Sequence, residues 1–167
     1  MCKYIFRFWC IYILTLTLRR INSDAIALNI GKDVWEPAQV AKAYAAAEAI
    51  SNSNARRGSG PKLKPVKAFF SFDFTSLKCS LESLPNVISM VNQYANHPSQ
   101  FKVNGKPMIS SYEGGCLGNA GWESLKTQTN GYTMPFISGL EGNFSQWTAL
   151  DSWHWLVWFD ENFLFQI

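Results

Sequence analysis

The sequence predicts an α/β protein, a partial (β/α)8 TIM barrel of roughly the first four βα units. Three observations lead there. Short apolar runs alternate with helical stripes at roughly 30- to 40-residue spacing, the rhythm of βα units on a parallel sheet. One face of each of the first three runs ends in a polar residue, at the strand ends where a parallel barrel builds its binding site. The chain has 167 residues, whereas a closed barrel takes about 250, so if the pattern is a barrel the chain holds only part of one.

The first strand is Asp24-Ala-Ile-Ala-Leu-Asn-Ile30, stopped by Gly31. Pro37 suits a first helical turn. Val40, Ala43, Tyr44, Ala47 and Ile50 then recur at helical spacing in an alanine-rich stretch, which favours a helix by both pattern and propensity. Arg56, Arg57, Lys62, Lys64 and Lys67 surround a Gly-Ser-Gly-Pro stretch and read as a solvated loop. Lys67-Ala-Phe-Phe-Ser-Phe-Asp-Phe74 reads as a buried strand. Leu84, Val87, Ile88, Val91 and Ala95 give the next stripe, with Pro85 near its start and Pro98 beyond its end. Asn104-Gly105 is a turn, followed by a third strand over Lys106–Glu113. A helical patch around Trp122 and Leu125 ends at Asn130-Gly131. Tyr132–Ser138 is the fourth strand, against which Pro135 counts, because proline removes a ladder donor.

Composition narrows the function. Apolar residues make up 47% and charged residues 16% of the chain, a globular profile. Lys3, Arg7, Arg19 and Arg20 carry the net positive charge; without them the body is nearly neutral, which argues against a nucleic-acid partner. The apolar run Phe8–Leu18 between those charges resembles a secretory leader and is short for a membrane span. Residues 1–22 are therefore set apart as leader-like or foreign to the domain. Residues 23–153 form the barrel part, and 154–167 a divergent tail. Cys79 and Cys116 are the two cysteines of the body and can pair if the protein is secreted. His97 and His154 lack metal-ligand spacing, and no metal or cofactor is expected. His97 is assigned a structural place at the end of the second helix. No phosphate loop supports a nucleotide-binding sheet, and no GxSxG supports serine chemistry.

Strand residues alternate faces. One face of the first strand carries Ala25, Ala27 and Asn29, and one face of the second carries Phe69, Ser71 and Asp73. In the third, Ile109, Ser111 and Glu113 are grouped with them as the smaller, more polar set. Glu141 follows the fourth strand. Asn29, Asp73, Glu113 and Glu141 are thus candidate substrate-binding residues around a polar cup. Their bland alternative is to cap helices or hold turns. Carboxyl groups in such a cup suit glycoside hydrolysis, where one protonates the leaving oxygen and another activates water or attacks the sugar. Asn143-Phe144-Ser145 is the one N-glycosylation sequon in the sequence.

Five blocks in order resemble glycoside hydrolase family 71 over roughly residues 24 to 153. They are Asp24-Ala-Ile-Ala-Leu-Asn-Ile-Gly31, Phe69-Phe-Ser-Phe-Asp-Phe74, Tyr94-Ala-Asn-His-Pro-Ser-Gln-Phe101, Asn104-Gly-Lys-Pro-Met-Ile-Ser-Ser-Tyr-Glu113 and Pro135-Phe-Ile-Ser-Gly-Leu-Glu-Gly-Asn-Phe-Ser-Gln-Trp147. The resemblance implies a (β/α)8 domain that hydrolyses α-1,3-glucan, a mutanase found mainly in fungi and secreted or cell-wall located. It implies water as co-substrate and no metal. Asn29, Asp73, Glu113 and Glu141 would line the sugar cleft. A later family block, Trp-Asn-Asp-Tyr-Gly-Glu-Ser, which carries the acidic pair favoured for catalysis, is absent. The expectation is an inactive, truncated fragment with no catalytic residue assigned. The alternative is a non-catalytic α-glucan-binding protein.

Overall fold

The computed structural model describes residues 24–56, 65–140 and 143–154. The leader-like segment, most of the basic loop, Glu141 and the tail beyond residue 154 lie outside the described residues.

Strand β1 (Ala25–Ile30) leads to helix α1 (Glu36–Ala55), and β2 (Lys67–Asp73) leads through a short 3-10 turn to α2 (Leu84–Tyr94). A two-residue β3 (Lys102–Val103) turns back at Asn104-Gly105 into β4 (Lys106–Tyr112). Helix α3 (Gly118–Thr129) then returns the chain to β5 (Tyr132–Thr133). Strands β1, β2, β4 and β5 are parallel, in that order across the sheet, and β3 pairs antiparallel with β4. A parallel sheet whose strands alternate with helices covering one face is a partial (β/α)8 barrel.

The predicted stripes become the helix-packed core. Val40, Ala43, Tyr44, Ala47 and Ile50 of α1 are buried, as are Leu84, Val87, Ile88 and Val91 of α2. Of these, Val40, Tyr44, Leu84, Val87, Ile88 and Val91 share one core cluster with Ala68, Phe70, Phe72 and Ile109 from the sheet, and with Trp122 and Leu125 from α3. Each large buried side chain of this kind contributes about 1.5–3 kcal/mol, so this layer fixes how the strands are spaced. Pro85 occupies the first turn of α2, where a missing N–H costs nothing. Asn130 closes α3 in the left-handed region at φ 49°.

The fourth strand is shorter than predicted, and proline gives the reason. The regular pairing of β5 covers Tyr132 and Thr133 only. Its ladder still continues, because Met134 N–H donates to the Ile109 carbonyl (2.9 Å) and Phe136 N–H to that of Ser111 (2.9 Å). Pro135, between them, holds the position whose N–H would face away from β4. The next segment covers that side. Asp151 N–H and Ser152 N–H both donate to the Thr133 carbonyl (3.1 Å each), and His154 N–H donates to that of Pro135 (3.3 Å). The outer edge of β5 is therefore occupied by residues 151–154.

His97 lies three residues past the end of α2 and makes structural contacts. Its ring faces Glu48 at 3.5 Å, and its Nδ1 accepts from Ser99 N–H at 3.1 Å.

Candidate active site

Register decides which side chains line the inside of the barrel. In a parallel sheet, paired residues point to the same face. Asn29 pairs with Ser71, and Ser71 with Ser110. One level higher, Asp73 pairs with Tyr112, and Tyr112 with Phe136. These residues form the face opposite the helices, at the C-terminal ends of the strands. Asn29 and Asp73 therefore share one face, as predicted. The third strand is corrected. Ser111 pairs with Phe72 and so belongs to the helix side, as does Ile109, the partner of Phe70. The inner face of β4 carries Met108, Ser110 and Tyr112.

Glu113 reaches the strand end by a different route. It lies one residue past β4 with φ 60°, in the left-handed region that few side-chain-bearing residues adopt. The twist breaks the strand alternation and re-aims the side chain. Its carboxylate accepts from the Ser138 N–H (3.2 Å) and from the Ser138 hydroxyl. Gly114 follows at φ 119°, and its carbonyl accepts from Trp122 Nε1–H at 3.1 Å. A Cβ at Gly114 would lie 2.9 Å from Trp122 and 3.0 Å from Phe74, so glycine is required here.

Asp73 has a turn to hold. Its Oδ1 accepts from Thr75 N–H (2.9 Å), Thr75 Oγ1–H (2.6 Å) and Ser76 N–H (3.3 Å). The bland role foreseen for strand-end carboxylates is thus real for Asp73, and it fixes the carboxyl group in place. The Asp73 turn also braces its neighbour, since Ser76 Oγ accepts from Lys32 N–H at 3.4 Å. Cys79 and Cys116 form a disulfide with Cα atoms 6.0 Å apart. It joins the loop after Asp73 to the loop after Glu113.

Beside these carboxylates stands an aromatic shelf. Tyr112 and Phe136 stack with centroids 5.6 Å apart at 14°, and the His154 ring lies 6.1 Å from Phe136. His154 Nε2 is 3.0 Å from Ser110 Oγ. All three rings are partly exposed. A partly open pair of rings next to hydrogen-bonding carboxylates can hold a pyranose, with its apolar face on a ring and its hydroxyls on the oxygens.

The sequence matches the model of glycosyl hydrolase family 71 over residues 17–163. The chain is a member of glycosyl hydrolase family 71. A mutanase from Penicillium rubens is 27% identical over 147 residues, which is 85% of this chain and 29% of the mutanase. Two structures of the GH99 endo-α-mannosidase from Bacteroides thetaiotaomicron, one with bis-tris-propane, superpose with TM-scores of 0.63 and 0.64. Identity to them is 14%, over 87% of this chain and 45% and 42% of theirs. That likeness shows the barrel fold. The chain spans less than a third of the mutanase's length.

In this family-71 chain the inner face brings together Asn29 and Asp73, with Glu113 at the neighbouring strand end. Glu141 lies outside the described residues. Tyr112, Phe136, Ser110 and His154 were missed as site residues. Tyr112 and Phe136 carry a readable signal, since aromatics near parallel strand ends are candidates for sugar contact. His154 had none, being 44 residues from Ser110 in the chain. Among the described residues no group of three His, Cys, Asp or Glu side chains could hold a metal ion. None of the described helices is long and apolar enough to cross a membrane. A groove lined by Lys67, His97, Gln100 and Lys102 opens at the N-terminal ends of the strands. It lies opposite the carboxylates, at the end of a barrel that serves stability rather than catalysis.

Proposed function

We propose that this chain supplies the substrate-binding N-terminal part of a secreted α-1,3-glucan hydrolase. The observation that carries the reading is the Tyr112–Phe136 shelf beside Asp73 and Glu113, on the inner face of a family-71 barrel. A glucan residue would lie across the shelf and offer its hydroxyls to Asp73, Glu113 and Asn29. Hydrolysis would follow the general acid/base pattern, in which one carboxyl group protonates the leaving glycosidic oxygen and a second works on water or the anomeric carbon. No catalytic role is assigned within this chain. The Cys79–Cys116 disulfide supports an oxidising, extracellular setting, consistent with a cell-wall polysaccharide as substrate.

The test is co-sedimentation of the chain with insoluble α-1,3-glucan and with an α-1,4-glucan control, together with an assay for released sugar. Selective pelleting with α-1,3-glucan is expected. The Asp73→Asn and Glu113→Gln variants should pellet less. Equal recovery with both polymers, or no recovery with either, would sink the reading. Selective binding without released sugar would favour a non-catalytic glucan-binding role for the isolated chain, which the same shelf would serve.

A further inference from the structure

We propose that Asn143 is a glycan attachment site, modified by oligosaccharide transfer from a lipid-pyrophosphate donor. The sequon Asn143-Phe144-Ser145 sits on a 3-10 turn over Phe144–Gln146. The turn sorts its three residues. Phe144 packs against the core and lies 6.3 Å from the Trp153 ring, while Asn143 and Ser145 are both exposed. The acceptor amide and the hydroxyl two residues on therefore face solvent, and the residue between them anchors the loop. A bulky polar glycan is tolerated only at such a surface position.

The surroundings keep the loop in place without covering it. Asn143 N–H donates to the Leu140 carbonyl (2.9 Å), and Gln146 N–H donates to the Asn143 carbonyl (2.9 Å). Asn119 Nδ2–H donates to the Gln146 carbonyl (2.7 Å), and Asn119 Oδ1 accepts from Ala149 N–H (3.2 Å). Among the described residues, the Asn143 side chain makes one long hydrogen bond, accepting from Gln146 Nε2–H at 3.4 Å. That contact is to Oδ1, and its loss on modification costs little at an exposed site. The Cys79–Cys116 bridge closes a segment that ends well before residue 143, so oxidation of the chain does not enclose the acceptor. The same bridge belongs to the oxidising compartments in which this transfer occurs.

In the transfer, Nδ2 of Asn143 attacks the anomeric carbon of the donor's first sugar. The new C–N bond forms as the C–O bond to pyrophosphate breaks. The lipid pyrophosphate leaves with that electron pair, and Nδ2 loses one proton to solvent. No oxidant or metal redox step enters.

The experiment expresses the full chain behind a cleavable leader in a eukaryotic secretory host, with a second sequon on a C-terminal tag. Only chains whose tag carries a glycan are scored, so delivery to the transferase is assured. Peptide mapping after peptide-N-glycosidase treatment should find aspartate at position 143 in most of them. Asn143→Gln and Ser145→Ala should abolish that signal, and Ser145→Thr should preserve it. Transfer acts on the entering chain, so variants that fold poorly still report. Tag-modified chains with unmodified Asn143 would overturn the proposal, whatever the glucan-binding assays show.

Discussion

Removing the Cys79–Cys116 bridge tests the account where fold and site meet. The two cysteines are 37 residues apart in the chain. Loop-closure entropy for a segment of that length predicts a loss of about 4 kcal/mol on opening it. Domains of this size are stable by about 5–15 kcal/mol, so the bridge accounts for a quarter or more of the total. The Cys79→Ala/Cys116→Ala double variant isolates that contribution. Cys116 is exposed and Cys79 only partly buried, so truncating them forfeits little packing. The assay is urea unfolding followed by tryptophan fluorescence, with oxidised protein and double variant side by side. The midpoint should fall. The slope should rise, because an uncrosslinked unfolded chain exposes more surface. Binding to α-1,3-glucan at a temperature where both proteins remain folded should also weaken, because the loops after Asp73 and Glu113 are no longer tied. A double variant whose stability lies within about 1 kcal/mol of the oxidised protein would refute the loop-entropy reasoning.

Three further substitutions follow from particular positions. Burial raises the Asp151 pKa, but hydrogen bonds and charge from Lys126, with hydrogen bonds from Thr133, outweigh it and hold the carboxyl below its ordinary value. A depressed carboxyl stabilises the fold above the unfolded value of about 3.9 and stops doing so as pH falls through the folded one. Asp151→Asn should therefore cost about 2 kcal/mol near neutral pH, and the gap to wild type should close below about pH 4 in unfolding titrations. Gly114→Ala should destabilise by about 3 kcal/mol, combining left-handed strain with contacts to Trp122 and Phe74. Gly105→Ala, at φ 80° with open space around it, should lose only the strain part, and thermal melts of the two variants should separate these costs.

The parts legible in the sequence were those with a clean period. Helices α1 and α2 each bury one stripe, so Val40, Tyr44, Val87 and Val91 declared their face. Strand β4 did not. Pro107 to Ser111 are all buried, so burial does not alternate along it, and two adjacent serines give no polar face to choose. Pairing with Phe72 decides that Ser111 belongs to the helix side, and its hydroxyl is satisfied locally by the Glu113 carbonyl. Strand β3 was too short for any pattern. Asp73 and Asn29 were readable because burial alternates over the last residues of their strands, Phe70–Asp73 and Ala27–Ile30. The place of Glu113 at the strand end was readable, but its route depends on a backbone turn that no periodicity encodes. His154 joins the site through tertiary contacts, with Ser110, Phe136 and Pro135 among them, that no sequence pattern encodes.

The central claim is that the inner face around Tyr112 and Phe136 binds α-1,3-linked glucose. Calorimetric titration of an α-1,3-gluco-oligosaccharide into wild-type chain and the Phe136→Ala variant, with folding matched by circular dichroism, tests it most directly. Loss of one stacking ring should weaken binding about tenfold, equivalent to about 1.4 kcal/mol. Equal affinity in a folded variant would contradict the claim and move the sugar site elsewhere on the barrel.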